Sequence, residues 1–302
     1  MSDPQAPWHA GESAMHARAG IAERMQEIGP RLLRDYMPEQ HREFFPLLPS
    51  LLVGALDEAG QPWASVLAGP PGFVHSPDPR LLRVEARAQG DQVREGAPVG
   101  LLGLQAHTRR RNRMNGTVVD CDARGFSVRV GQSFGNCPKY IHARQAVYLP
   151  AAQVEDERVE QLVAFDAAAL AQVVAADTFF IASAHPQAGR LDGTAPGVDV
   201  SHRGGPAGFV QVQGSGTLLV PDYVGNSFFN TLGNLQLESR CGLLFIDPRT
   251  GVRLQVSARA EVLWDGWNRD AFAGALRVLR LEAVAATRRA GGLPLQWGEE
   301  FP

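Results

Sequence analysis

The chain has 302 residues, of which 44% are apolar and 20% charged, and its formal net charge is −3. This composition is typical of a folded globular protein and excludes an intrinsically disordered chain. Because 29 basic residues are balanced by 32 acidic ones, no cationic excess attracts nucleic acid. Residues 1–12 lack the apolar segment of a secretory signal, and no apolar run approaches the roughly 18 residues of a membrane span. We therefore expect a cytoplasmic protein.

The first predicted element is a helix over residues 12–28, where apolar side chains recur at three- and four-residue spacing. Gly29 and Pro30 are expected to end it. Two regions, 41–150 and 177–265, then contain short apolar or alternating runs separated by Gly, Pro and Asp. This pattern predicts antiparallel strands joined by tight turns in both regions.

Three further helices are predicted. Asp166 can cap a helix over 167–176, between the two strand regions. A short helix is expected at about 227–237, inside the second strand region. After that region, apolar residues at helical spacing predict a helix over 270–289.

Matching sequence words indicate that the second strand region repeats the first. The word at 70–74 recurs at 206–210, and the same displacement matches several neighbouring positions. A second pair of words, 99–104 and 241–246, matches after a short insertion in the second copy. Each copy is typical of a small antiparallel barrel, and two such barrels can pack face to face as the subunits of a homodimer do.

We therefore predict a mainly β fold with flanking helices, in which two tandem barrels pack as a pseudo-dimer within one chain. The expected order is an N-terminal helical segment, the first barrel, a helical linker, the second barrel, and a C-terminal helix with a tail. Their boundaries are placed at 1–40, 41–150, 151–176, 177–265 and 266–302. A further homodimer of the whole chain stays open.

The word Ser-His-Arg-Gly-Gly, which begins at Ser201, is the first candidate site. Gly204 and Gly205 let backbone N–H groups approach an anion that the guanidinium of Arg203 binds. A hairpin turn with a solvated arginine is the alternative. The first copy has Leu67 at the position equivalent to Arg203, so this cradle belongs to the second copy.

The arginine-rich word of the first copy is the complementary candidate. In a strand, Arg109, Arg111 and Arg113 would lie on one face, followed by Asn115. An exposed strand face is the alternative, which we prefer for Arg109 and Arg110. The equivalent stretch of the second copy lacks the basic residue and the amide. Since each copy has kept one half of the polar residues, we expect one composite site at the junction of the barrels.

The word at 133–141 holds the single lysine of the chain, Lys139, together with Asn136 and Tyr140. Lys139 can meet a phosphate, and the ring of Tyr140 can lie against a planar group. A plain loop is the alternative. Cys137 is interpreted as a small packing residue, because no partner base is identifiable.

A cluster of asparagines leads into the short helix predicted at 227–237. Asn226 or Ser227 can cap this helix, whose positive N-terminal end favours a phosphate. Asn230 and Asn234 are four residues apart and therefore share one helical face. Capping does not explain this second pair.

Other kinds of site find no support in the sequence. The eight histidines form no HxH or HxxxH spacing, and the three cysteines are widely separated, so neither a metal site nor a disulfide framework is predicted. Hydrolase, NTPase and Rossmann motifs are absent from the sequence. His202, beside Arg203, is the one histidine next to a candidate site, and no catalytic acid or base is nominated.

Six sequence words together resemble the pyridoxamine 5′-phosphate oxidase-like family of FMN-binding split barrels, in particular its bacterial flavin-nucleotide-binding members. The words lie at 40–45, 62–65, 110–116, 133–141, 201–205 and 229–235. The resemblance implies two split β-barrels, FMN held at their interface, and flavin redox chemistry with a small organic substrate. The residues that bind substrate phosphate in true pyridoxamine phosphate oxidases have no clear counterpart, so vitamin B6 oxidation is not expected.

The resemblance also implies roles for the candidate residues. Arg203, Gly204 and Gly205 would hold the FMN phosphate with Lys139 and the asparagines, and Arg113 would approach the ribityl chain or isoalloxazine. The complete expected set is Arg113, Asn115, Gly116, Asn136, Lys139, Tyr140, Ser201, Arg203, Gly204, Gly205, Asn226, Asn230 and Asn234.

The expected activity is that of an FMN-dependent oxidoreductase that uses NAD(P)H or oxygen as the second reactant. Three alternatives stay open. They are a non-catalytic flavin or haem carrier, a cofactor-free scaffold, and a deazaflavin-dependent reductase.

Overall fold

The structure is a computed structural model that describes residues 7–87, 92–135, 137–190 and 197–300. Within these ranges the chain is mainly β, with three antiparallel sheets. The helices are α1 (Ala10–Arg18), α2 (Ala22–Leu32), α3 (Glu39–Arg42), α4 (Ala167–Ala175) and α5 (Asn230–Leu237). The prediction of a mainly β fold with flanking helices is confirmed. None of the described helices has the length and apolar character needed to cross a bilayer.

The first sheet contains seven strands from the N-terminal half of the chain. They are β1 (Ser50–Leu56), β2 (Pro62–Ala68), β3 (Val74–Asp78), β4 (Leu81–Val84), β5 (Pro98–Gln105), β6 (Arg110–Cys121) and β7 (Phe126–Gly135). Their order across the sheet is β2-β1-β5-β6-β7-β4-β3.

Two short strands follow, β8 (Arg144–Tyr148) and β9 (Arg158–Leu162), and then the strands of the second sheet. These are β10 (Thr178–Ala184), β11 (Val198–Gly204), β12 (Gln211–Gln213), β13 (Thr217–Asp222), β14 (Arg240–Ile246), β15 (Arg253–Leu263) and β16 (Arg277–Ala290). Their order is β11-β10-β14-β15-β16-β13-β12, with β9 paired to β16. The last strand, β17 (Leu295–Glu300), pairs with β8 as a separate two-stranded sheet.

The two larger sheets have the same strand order when each is numbered from its own first strand. Their registers correspond as well. Gly100 of β5 pairs with Asn115 of β6, and Gly242 of β14 pairs with Ser257 of β15. In the described residues neither pairing path returns to its first strand, so the sheets are open rather than closed into the barrels that the sequence predicts.

The junction between the two sheets depends on close backbone approach. A Cβ atom on Gly100 would lie 2.7 Å from the carbonyl oxygen of Val198 on β11, and one on Gly242 would lie 2.3 Å from that of Pro62 on β2. Buried apolar side chains fill the space beside these contacts, among them Leu52 of the first sheet. Each sheet also has its own apolar core.

The N-terminal helical prediction needs correction. The single helix expected over 12–28 is two helices, because Gly20 adopts a left-handed conformation with φ of 69° between α1 and α2. The predicted end at Gly29 and Pro30 is also wrong, since α2 continues to Leu32. A Cβ on Gly29 would lie 2.6 Å from Nε1 of Trp8, so this glycine serves helix packing.

The helix predicted over 270–289 is wrong. This segment contains β16, which pairs with β15 on one side and β13 on the other. Leu279 and Leu281 are two residues apart and both belong to the apolar core, which is the periodicity of a strand. The apolar spacing also fits a helix, and the pairing with two neighbouring strands decides between them.

The helices predicted inside the chain are closer to the structure. Asp166 caps α4, its carboxylate accepting a hydrogen bond from the backbone N–H of Ala169 at 2.7 Å. The linker predicted as helical over 151–176 contains β9 as well as α4. The helix predicted at about 227–237 is α5, which begins at Asn230.

Candidate functional site

A cavity of about 120 Å³ lies where β6 of the first sheet meets β11, α5 and the start of β16 of the second. We call it the cationic cavity. Five of its lining side chains are basic, and Asp222 is the one carboxylate among the described lining residues. The basic side chains are Arg111, Arg113, Lys139, Arg203 and Arg277.

Arg113 joins the two sheets at this cavity. Its guanidinium donates to the carboxylate of Asp199 at 2.7 Å, to Oδ1 of Asn230 at 3.2 Å, and to the hydroxyl of Ser201. Strand alternation places Asp199 and Ser201 on one face of β11. Burial lowers the pKa of Arg113, and the carboxylate of Asp199 acts in the opposite direction. The composite arrangement expected from the two copies is therefore present as a contact between them.

A second carboxylate holds two more arginines. Asp222 accepts from Arg203 at 2.6 Å and from Nε and a terminal nitrogen of Arg277 at 2.9 and 2.6 Å. The guanidinium of Arg277 also lies 4.8 Å from the ring centroid of Phe229 and 4.8 Å from that of Trp264. One carboxylate thus positions two guanidinium groups, which leaves a positive charge in excess.

Arg111 determines the tautomer of His202. A terminal nitrogen of Arg111 lies 2.9 Å from Nδ1 of His202, and a guanidinium can only donate. Nδ1 therefore accepts, so the neutral ring carries its proton on Nε2. Burial, together with Arg111 and Arg203, lowers the pKa of His202 well below its ordinary value, and burial lowers that of Arg111 to about 10.

Several buried donors at the cavity have no partner among the described residues. They are the Nε atoms of Arg111, Arg113 and Arg203 and the Nε2 atom of His202. Buried polar groups are nearly always hydrogen-bonded, so an unpaired cluster calls for an explanation. A ligand that carries acceptor oxygens and negative charge supplies both the partners and the compensating charge.

The backbone around the cavity is strained. Tyr140, Ser227 and Phe229 have φ of 62°, 61° and 61°, and all three line the cavity. Left-handed conformations of non-glycine residues cost about 1–3 kcal/mol each and cluster at functional sites. At the rim, the ring of Tyr140 stacks on that of Tyr223 with centroids 5.1 Å apart.

A buried carboxyl group stands behind the cavity. Glu12 of α1 accepts from the side-chain amide of Asn230 at 2.6 Å and from the backbone N–H of His9 at 2.9 Å. Burial raises the pKa of Glu12 to about 8. Because Oδ1 of Asn230 accepts from Arg113, Glu12 orients this amide toward the cavity.

Most of the candidate residues from the sequence meet here. Those that line the cavity are Arg113, Lys139, Tyr140, Ser201, Arg203, Gly204, Asn226 and Asn230. They come from both copies and from loops far apart in the chain. Gly204 has a packing reason as well, because a Cβ there would lie 2.1 Å from the carbonyl oxygen of Tyr140.

Five candidates lie elsewhere or outside the description. Asn115 is buried within the first sheet, where it pairs with Gln132, and a Cβ on Gly116 would lie 2.0 Å from the carbonyl oxygen of Arg129. Gly205 donates to the carbonyl oxygen of Asp177, and Asn234 donates to the hydroxyl of Ser183 at 3.2 Å. None of these four is in the lining of the cavity. Asn136 lies outside the described residues.

Two local expectations need correction. Neither Asn226 nor Ser227 caps α5, whose N-cap residue is Phe229, and Oδ1 of Asn226 instead accepts from the backbone N–H of Phe228. Arg109 does not share the face of Arg111, because it precedes β6 in a left-handed conformation with φ of 53°.

Sequence reasoning missed Glu12, Asp199, Asp222 and Arg277 as parts of this site. A signal exists for Asp199, which alternates with Ser201 and Arg203 along β11. Arg277 was assigned to a helix, which hid its cross-strand pairing with Asp222. No local pattern marks Glu12.

No family model and no curated protein matches the chain. Among solved structures it is similar to an FAD-binding protein from Mesorhizobium loti, with 13% identity, a TM-score of 0.28, and coverage of 44% of this chain and 98% of that one. A Clostridium acetobutylicum protein of the pyridoxinephosphate oxidase family has 8% identity, a TM-score of 0.29, and coverage of 44% and 92%. HupZ of Group A Streptococcus has 8% identity, a TM-score of 0.30, and coverage of 38% and 92%.

Proposed function

We propose that this chain binds FMN, with the phosphate in the cationic cavity, and acts as an oxidoreductase on a small organic substrate. The observation that carries the proposal is the cluster of buried arginines that Arg113 and Arg203 bring from different copies to one cavity. The sequence words at 110–116, 133–141 and 201–205 support the choice of a flavin nucleotide as the anion.

The residues present fit a phosphate group. Arg203 and Arg111 each have an unpaired Nε donor, and Lys139 is exposed at the rim. A phosphate dianion would accept from these groups and offset the positive charge that Asp222 leaves uncompensated. Arg113 and Arg277, which already hold carboxylates, would keep the cavity positive and shaped.

The cavity volume of about 120 Å³ suits the phosphate end rather than the whole nucleotide. The stacked rings of Tyr140 and Tyr223 lie at the rim of the same cavity. Aromatic faces of this kind favour a planar ring system. Bound FMN would supply hydride or electron transfer with NAD(P)H or oxygen, and the chain would orient it and exclude water.

We also propose that the two larger sheets are diverged copies that form tandem split barrels, packed as a pseudo-dimer. The shared strand order and the corresponding pairings of Gly100 and Gly242 support this interpretation. On this proposal the first barrel occupies 41–150 and the second begins at 177 and includes β16. Whether two whole chains associate is a separate question, answered by the mass of the protein in solution.

The proposal is tested by the absorption spectrum of the purified protein and the mass of any chromophore released on denaturation. We expect the two visible bands of oxidised flavin, the mass of FMN, and bleaching by NAD(P)H with recovery in air. A colourless protein that ignores added FMN would overturn the proposal, and a haem spectrum would replace it with a haem carrier. Bound FMN that NAD(P)H cannot reduce would retain the binding claim and remove the activity.

A further inference from the structure

A second, larger cavity of about 530 Å³ lies beside the cationic cavity. Its walls come from both large sheets and from the C-terminal strand β17. The apolar side chains that face it include Leu52, Val66, Leu104, Phe180, Ile246 and Trp297. We call it the apolar cavity. Its size falls in the range of roughly 300–1,000 Å³ that is typical of small-molecule sites.

The charged groups in its wall are paired with one another. Arg144 donates to the carboxylate of Asp177 at 2.6 Å and to that of Glu300 at 3.1 Å. Nε2 of His142 donates to the carbonyl oxygen of Gly205 at 2.8 Å, and its Nδ1 lies 2.6 Å from a carboxylate oxygen of Glu300. Unlike the cationic cavity, this wall therefore has no excess charge to attract an anion.

The same pairing argues against a metal ion at this wall. Ligand atoms of His142, Asp177 and Glu300 lie within 4.8 Å of one another. However, the guanidinium of Arg144 already donates to both carboxylates. A second cation there would be repelled.

His202 connects the two cavities, since its ring lines both of them. Its Nδ1 is occupied by Arg111, and its Nε2 is a buried donor without a partner among the described residues. The ring also packs edge-on against Phe180, whose centroid is 5.9 Å away. The polar donor nearest the apolar walls is therefore one that needs an acceptor.

We propose that the apolar cavity is a binding site for an uncharged, planar ring compound with a hydrogen-bond acceptor, which His202 recognises. The binding claim stands on the cavity itself. The description of this compound as the organic substrate rests on the proposed function, because only a bound flavin gives it a reaction partner.

The probe is 6-propionyl-2-(dimethylamino)naphthalene, an uncharged fluorophore with a ketone acceptor whose emission shifts to the blue in apolar surroundings. We expect saturable binding with a blue shift, displaced by 2-acetylnaphthalene but not by the anion 2-naphthoate. Val66→Trp should fill the cavity and weaken binding at least about tenfold. Val159→Trp is the matched control, because Val159 is half exposed on β9 and lines neither cavity. Leu104→Trp repeats the test from another strand if the first variant does not fold.

The role of His202 has its own readout. We expect 2-acetylnaphthalene to bind wild type more tightly than naphthalene does, because naphthalene lacks the acceptor. His202→Phe keeps a ring at this position, and it should abolish that preference while naphthalene still binds. An unchanged preference in His202→Phe would remove the hydrogen bond from the proposal.

Two outcomes would overturn the site itself. One is equal binding of the probe to Val66→Trp, Leu104→Trp and Val159→Trp. The other is displacement of the probe by FMN, which would place the flavin ring in this cavity. If instead the chain fails to bind FMN but the probe shows the expected pattern, the proposed function fails and the apolar site stands.

Discussion

Arg113 on β6 and Asp199 on β11 form an ion pair of 2.7 Å between the two large sheets. The residues are 8% and 2% exposed, so neither charge is solvated. Removing one partner of a buried pair leaves an uncompensated charge and costs about 3–5 kcal/mol. We therefore expect Arg113→Met to lower the free energy of unfolding in urea by about that amount.

The control for this prediction is an exposed pair. Arg280 and Glu261 are 42% and 59% exposed, so Arg280→Met should cost less than about 1 kcal/mol. The double variant Arg113→Met with Asp199→Asn should recover part of the loss, because it also removes the stranded carboxylate. Equal losses in the two single variants would contradict the buried role of Arg113.

Arg203 is the second target, since the first copy has a leucine at the equivalent position. We expect Arg203→Leu to weaken FMN binding at least tenfold, which corresponds to about 1.4 kcal/mol. Arg277 still neutralises Asp222 in this variant, so the fold should be retained. The measurement is fluorescence titration with FMN, with Arg129→Leu on the exposed face of β7 as the matched control. Unchanged affinity would remove Arg203 from the site.

Glu12 predicts a dependence of stability on pH. Burial raises its pKa to about 8 from an ordinary value of 4.5. Its stabilising contribution is therefore fully present below about pH 4.5 and is lost as the pH rises to 8. We expect the difference in unfolding free energy between wild type and Glu12→Gln to fall from pH 6.5 to pH 8, in urea titrations at each pH.

The pH window for that experiment avoids a neighbour. Burial lowers the pKa of His9 from 6.5 to about 4, so its contribution changes below pH 6.5. Above that value Glu12 is the group of this pair that titrates. Parallel stability curves for wild type and Glu12→Gln over this window would show that the carboxyl is not held in its neutral form.

The close approach of the two sheets gives a further prediction. A methyl group on Gly100 would lie 2.7 Å from the carbonyl oxygen of Val198, which backbone cannot easily yield. We expect Gly100→Ala to lower the free energy of unfolding by about 1–3 kcal/mol, the usual cost of overpacking, and to weaken FMN binding. Gly216→Ala is the control, since the nearest atom to its Cβ would be 3.7 Å away. Thermal unfolding of both variants checks this, and equal melting temperatures would count against the junction.

Several strands could be predicted from local sequence because their signals are local. The matching words place strands at corresponding positions, and β2 and β11 begin at Pro62 and Val198 as that correspondence requires. The pattern failed at β16, where apolar spacing fitted a helix and pairing with β13 and β15 decided otherwise.

The candidate site shows the same division. Arg113 and Ser201 were expected to meet because each copy had kept different polar residues, and the structure brings them into contact. Arg277 and Glu12 were missed, because the partner of each lies in a distant part of the chain. Asn115 and Asn234 were expected at the site, but their surroundings are set by neighbouring strands and helices.

The sequence by itself determined the strand-rich character of this protein, its turns, and the polar words that each half contributes, since these are properties of residues close together in the chain. Only the tertiary structure decided which arginine neutralises which carboxylate and which donors stay unpaired. The physical reason is that burial and pairing depend on residues brought together from remote segments, as Asp222 with Arg203 and Arg277 illustrates.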